Sequence, residues 1–106
     1  MARLYEMIGK TQEMIVQMEP VPFDQIRSML VQVQEEAVEG ADLTQVCTLA
    51  ADCLTAGMER YRAEGVAESE VQGLLERIRS LQGDKKAVAG RLALAQAAAE
   101  RVYGAG

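Results

Sequence analysis

The sequence predicts an all-α protein: an antiparallel four-helix bundle with a long C-terminal helix. Three observations carry that prediction. The 106 residues include one Phe, three Tyr and no Trp, so the apolar share is mostly Ala, Val, Leu, Ile and Met. Strands favour β-branched and aromatic residues, whereas this composition favours helices. Apolar residues recur at steps of three and four along almost the whole chain. Both prolines, Pro20 and Pro22, fall in one short stretch, "MEPVPF", so the rest of the chain is free of the ring that breaks a helix. A chain of this length makes one domain.

The first helix is expected over 2–18. Leu4, Ile8, Thr11, Ile15 and Met18 form its stripe, and Met7 and Met14 widen it. It stops because Pro20 disfavours helical dihedrals at Glu19 and has no N–H to donate. The second helix is expected over 22–39. Pro22 suits a first turn, where its missing N–H has no partner to lose, and Asp24 places a negative charge at the positive end of the dipole. Phe23, Ile26, Leu30, Val33 and Ala37 make its seam, and Gly40 is the expected C′ residue. "EPVP" thus reads as a connector in an antiparallel hairpin. Its single P-x-P is too short for a polyproline docking segment.

The third helix is expected over 43–63, with Asp42 as N-cap and Gln45 completing a capping box. Leu43, Val46, Cys47, Ala50, Cys53, Leu54, Met58 and Tyr61 follow at helical spacing, and Gly65 ends it. Gly57 inside this stripe costs about 1 kcal/mol against Ala, which marks it as a close helix crossing. The fourth helix is expected over 69–103, capped by Ser69 with Gln72 as its reciprocal partner. Val71, Leu74, Leu75, Ile78 and Leu81 form its seam. The register runs on through Gly83 to Val88, Leu92, Ala95, Ala99 and Val102, so one continuous helix, bent at Gly83, is expected. Its last third, "LALAQAAAERVY", is rich in side chains small enough to let another helix approach closely.

Composition narrows the function classes. The formal net charge of −5 opposes nucleic-acid binding. Residues 1–58 hold three basic and nine acidic side chains, and residues 59–106 hold eight and seven. There is no apolar run long enough to span a bilayer and no signal-peptide pattern at the start. Cys47 and Cys53 stand six residues apart, about 9 Å of helical rise and roughly 240° of rotation, beyond disulfide reach. They read as buried thiols in a reducing compartment, with the cytoplasm as the expected location. With no His in the chain, Ser-His and Cys-His nucleophile systems and the Glu-x-x-His di-metal bundle are excluded. Glu35, Glu36, Glu39 and Asp42 are the one dense set of carboxylates, and they read as a solvated helix end. No cofactor is expected, and no catalytic residue is assigned.

What remains is association. Met7, Met14 and Met29 on the first two seams belong to a residue type that adapts to varied helix-binding surfaces. Together with Leu92, Ala95, Ala99 and Val102 of the alanine-rich final helix, they are the candidate partner-binding residues. Three readings follow: a non-enzymatic helix-binding adaptor or chaperone acting through apolar helix seams, a self-assembling structural protein such as a homodimer, and a small ligand-binding or enzymatic bundle.

"LYEMIGKTQEMIVQME" followed by "PFDQIRSMLVQVQEEAVEGADL" resembles the first two helices of small bacterial flagellar export chaperones of the FliT type. "LLERIRSLQGDKKAVAGRLALAQAAAERVYG" is similar to the long later helices of that family and their tyrosine-bearing end. The resemblance covers roughly two thirds of the chain; the middle segment "TQVCTLAADCLTAGMERY" departs from it, being a full apolar helix. It implies a cytoplasmic helical chaperone that shields an amphipathic segment of an export substrate, with a terminal helix covering the groove until that partner arrives.

Overall fold

The computed structural model describes residues 2–83 and 85–104. It contains α1 (Ala2–Val16), α2 (Phe23–Glu35), α3 (Gly40–Ala63), α4 (Glu68–Gln82) and α5 (Lys86–Tyr103). The chain is all-helical, with five helices among the described residues where four were expected. The difference lies at Gly83, whose φ of 62° and ψ of −136° end α4. That backbone region is open to glycine and strained for other residues. The preserved register misleads because Leu81 and Val88 stand seven residues apart. The chain can turn within that interval and still bring both apolar faces back onto one neighbour.

The helix ends follow a common rule applied to uncommon residues. At the end of α1 the Met18 N–H donates to the Ile15 carbonyl (3.0 Å) and the Glu19 N–H to that of Met14 (2.8 Å). This is a Schellman cap, but its left-handed position is Met18, at φ 59°. α2 ends in the same way around Ala37, at φ 50°, and not at Gly40. Val38 and Val33, both buried, supply the apolar contact that accompanies this cap. Gly65 ends α3 as expected, with Val66 donating to the Tyr61 carbonyl. The starts differ from expectation too. α3 begins at Gly40, which places Asp42 inside its first turn and not at the N-cap. α4 begins at Glu68 after Ala67, and the Ala67 N–H donates to the Glu70 carboxylate (3.1 Å), so Ser69 and Gln72 form no cap.

α3 is the hub. It packs against α2, α4 and α5, while α1 rests mainly on α2. Its buried residues Val46, Cys47, Ala50, Ala51, Cys53, Leu54, Met58 and Tyr61 therefore span an arc of about 160°, wider than a single seam. Its most extensive contact is with α5. There Ala50 and Ala51 are buried on one helix and Ala95, Ala98 and Ala99 on the other, which lets the axes come close. One apolar cluster joins side chains from all five helices. The radius of gyration is 13.0 Å, the value of a folded chain this long, about 13 Å for 100 residues. That excludes the open hairpin that an unpacked α1–α2 pair would give. Among the described residues, no helix is long and apolar enough to cross a membrane.

Candidate functional site

The connector after α1 is held by a single tyrosine. A helical side chain points back toward the N-terminus of its helix, so the Tyr61 ring lies over residue 57, one turn earlier. That residue is Gly57. A Cβ built there would sit 2.6 Å from ring atom Cζ. Gly57 thus accommodates its own neighbour on α3 and does not mark a helix crossing. The Tyr61 hydroxyl donates to the Val21 carbonyl (2.8 Å), and the ring meets Phe23 edge-on with centroids 5.4 Å apart. Val21, set between two prolines that have no N–H to satisfy, is buried with its carbonyl paired.

Pinned this way, the connector faces the middle of α3 across an open groove of about 580 Å³. Cys53, Ala56 and Gly57 of α3 line it, together with Ile15 of α1 and Met18, Pro20 and Val21 after it. Glu19, Asp52 and Arg60 are the charged residues of its lining. Beside it the end of α1 carries an apolar surface. Met18 is 92% exposed, Val16 81% and Ile15 45%, three of the six exposed large hydrophobic residues among those described. Monomeric proteins rarely gather such residues at one place without a use for them.

The thiol that lines the groove is held in its neutral form. Burial pushes the Cys53 thiol up to about 11, with the charge of Asp52 adding to it, and burial alone does the same to Cys47. Both are free, buried thiols and neither is poised as a thiolate. Asp52 accepts from Arg91 of α5 (2.7 Å), and Arg60 donates to Glu64 (3.0 Å). Among the described residues no group of three or more Cys, Asp or Glu side chains is arranged to hold a metal ion.

The residues nominated from the sequence lie mostly elsewhere. Met29, Leu92, Ala95, Ala99 and Val102 are core residues, between 0% and 6% exposed, so in this fold they hold helices together. Met7 and Met14 are partly buried against the core. Met14 and Met29 belong to a latch between α1 and α2. Gln25 donates to the Thr11 hydroxyl (2.8 Å) and to the Met14 sulfur (3.5 Å), while Thr11 lies 3.5 Å from the Met29 sulfur. Ile15 and Met18 read from sequence as the end of the first seam, yet α1 overruns the surface it packs on and leaves them outside. Val16, apolar but off the stripe, is the one local sign of this.

A scan against models of protein families, a search of curated proteins and a search of solved structures each returned no match to this chain.

Proposed function

We propose that the chain is a non-enzymatic adaptor or chaperone that shields an amphipathic segment of a protein partner, and that this segment docks in the groove between the α1–α2 connector and α3. The observation that supports this is the exposed trio Ile15, Val16 and Met18 beside the apolar groove. An amphipathic helix presents anchors at i, i+3 and i+4 and buries them in such a groove. Methionine at the rim adapts to different anchors at little cost. The sequence resemblance to FliT-type chaperones supports a narrower version, in which the protein is cytoplasmic and the partner is an export substrate.

The test is retention of a partner by the full chain and by Val16→Glu and Met18→Glu. Both side chains are exposed, so the variants should melt with the parent. A partner held by the parent and lost by both variants, with hydrogen exchange protecting one helical segment of that partner, agrees with the proposal. Equal recovery by all three forms refutes the groove.

A second reading, self-assembly, rests on the outer face of α5. Ala87, Gly90, Leu94 and Ala97 are exposed there at steps of three, four and three, the spacing of a helix-pairing seam. Under that reading light scattering gives a dimer and Tm rises with protein concentration. Leu94→Glu would abolish both effects and leave the groove untouched.

A further inference from the structure

The break at Gly83 sets the local sequence against the fold around it. Across the break the apolar positions keep one helical register, with Val71, Leu74, Ile78 and Leu81 before it and Val88 and Leu92 after it, interrupted only by Lys85. A single helix running from α4 into α5 would therefore present one seam. The start of α5 is poorly furnished. It begins on Lys85 and Lys86, with no side-chain cap and no acidic residue in its first turn; Asp84 lies outside the described residues. Cations at a helix N-terminus oppose the macrodipole, and lysine has no oxygen with which to cap. The turn is held instead by what α5 packs on. Its buried face, from Val88 to Val102, lies against α3 and α4. Arg91 pairs with Asp52 (2.7 Å), Arg62 donates to the Val102 carbonyl (2.6 Å), and the Tyr103 hydroxyl donates to the Val66 carbonyl (2.8 Å).

We propose that α4 and α5 straighten into one helix through Gly83 and that α5 then docks on α3 of a second copy, which gives its own α5 in exchange. Length fixes the occupant. A helix from Glu68 to Tyr103 is about 54 Å long, more than the 40 Å greatest extent of the molecule, so a straightened α5 leaves its own α3. The face uncovered on α3 and the face carried away by α5 already fit each other, and another copy of this chain holds both. Reciprocal exchange closes the pair with two-fold symmetry. It remakes the α3–α5 contacts between chains and removes two uncapped helix starts. Short hinges under strain invite this exchange. The pairing uses the inner face of α5 and not its outer one, and α5 does not line the groove, so the proposal stands apart from both readings above.

Because α5 has to leave α3 before it can exchange, the full chain is unfolded in urea, refolded at high protein concentration and separated by size-exclusion chromatography with light scattering. A dimer should appear beside the monomer. Gly83→Ala strains the closed turn and suits a helix. It should raise the dimerisation constant about tenfold or more, since each dimer relieves two turns. Lys86→Pro should abolish the dimer and leave the monomer folded. Proline fits the first position of α5, after Lys85 at φ −58° and ψ 123°, but breaks a continuous helix. Chains carrying Asp52→Cys and chains carrying Arg91→Cys, mixed and refolded together, should be joined by a short thiol cross-linker, because the native cysteines are buried. If the parent chain and Gly83→Ala both stay monomeric, the proposal is overturned. A dimer that survives Lys86→Pro overturns it too, as does one lost on Leu94→Glu, an exposed side chain that the exchange leaves outside.

Discussion

Gly57 shows how one missing methyl group sets the geometry of the site. In an exposed mid-helix position, replacing Gly by Ala stabilises by roughly 0.5–1 kcal/mol, because the unfolded chain loses freedom. Gly73, in α4 with nothing within 4 Å of its built Cβ, should behave that way. Gly57 should do the opposite. Its Cβ would meet the Tyr61 ring at 2.6 Å, and the ring cannot move without giving up Val21 and Phe23. Overpacking of this kind costs about 1–3 kcal/mol. Thermal or urea unfolding of Gly57→Ala and Gly73→Ala should give shifts of opposite sign, with the Gly57 variant also weakened in partner binding. Stabilisation of both variants would mean that Tyr61 does not pin the connector. The stripe on the third helix was legible in the sequence, Tyr61 and Gly57 included. The reason for Gly57 was not, since it depends on which way the Tyr61 ring turns and what its hydroxyl reaches.

At the scale of the helix, ends and faces carry separate lessons. Ala37 occupies a left-handed position at φ 50°, a conformation that costs a non-glycine residue about 1–2 kcal/mol. Ala37→Gly should therefore stabilise the fold, by roughly 0.5–1 kcal/mol after the greater entropy lost by glycine is subtracted. Gly83→Ala should destabilise it by about 1–3 kcal/mol, because the backbone there suits glycine alone. A continuous helix from 69 to 103 would give the opposite sign, so equilibrium unfolding of this one variant decides between the two architectures. Faces are tested on α5. Ala99 is fully buried toward the core, whereas Ala97, two residues earlier, is exposed. Ala99→Leu should cost about 1–3 kcal/mol and Ala97→Leu close to nothing, with Tm as the readout. The periodicity of Val88, Leu92, Ala95, Ala99 and Val102 announced this buried face correctly. It could not announce the break, because a turn that returns both halves to α3 leaves the repeat intact.

For the whole molecule, what the sequence conveyed and what it withheld divide along one line. The helical class and the buried thiols depend on short-range patterns, and both are present. The groove depends on how far α1 overruns its packing surface and on where the connector meets α3, relations between segments some forty residues apart (Tyr61 to Val21). The core that closes around α3 also sets how stability responds to pH. Burial raises Cys47 and Cys53 to about 11 from an ordinary thiol value near 9, and it raises the Tyr61 phenol as well. A raised value means that the folded state keeps its proton where the unfolded chain has lost it. Stability then falls as pH rises, because the unfolded state binds fewer protons. The contribution is fully present below about pH 8.5, the range of a free thiol, and is lost progressively toward pH 11. Tyr61 extends the decline, since an unfolded phenol ionises near pH 10. Urea unfolding at a series of pH values should therefore show a flat region near neutrality and a steady loss above about pH 8.5. The double variant Cys47→Ala/Cys53→Ala should start lower, because two buried sulfurs are removed from the core, but decline less steeply over the thiol range. Two curves that fall in parallel would show that these thiols are not held protonated by the fold, and that water reaches the centre of α3.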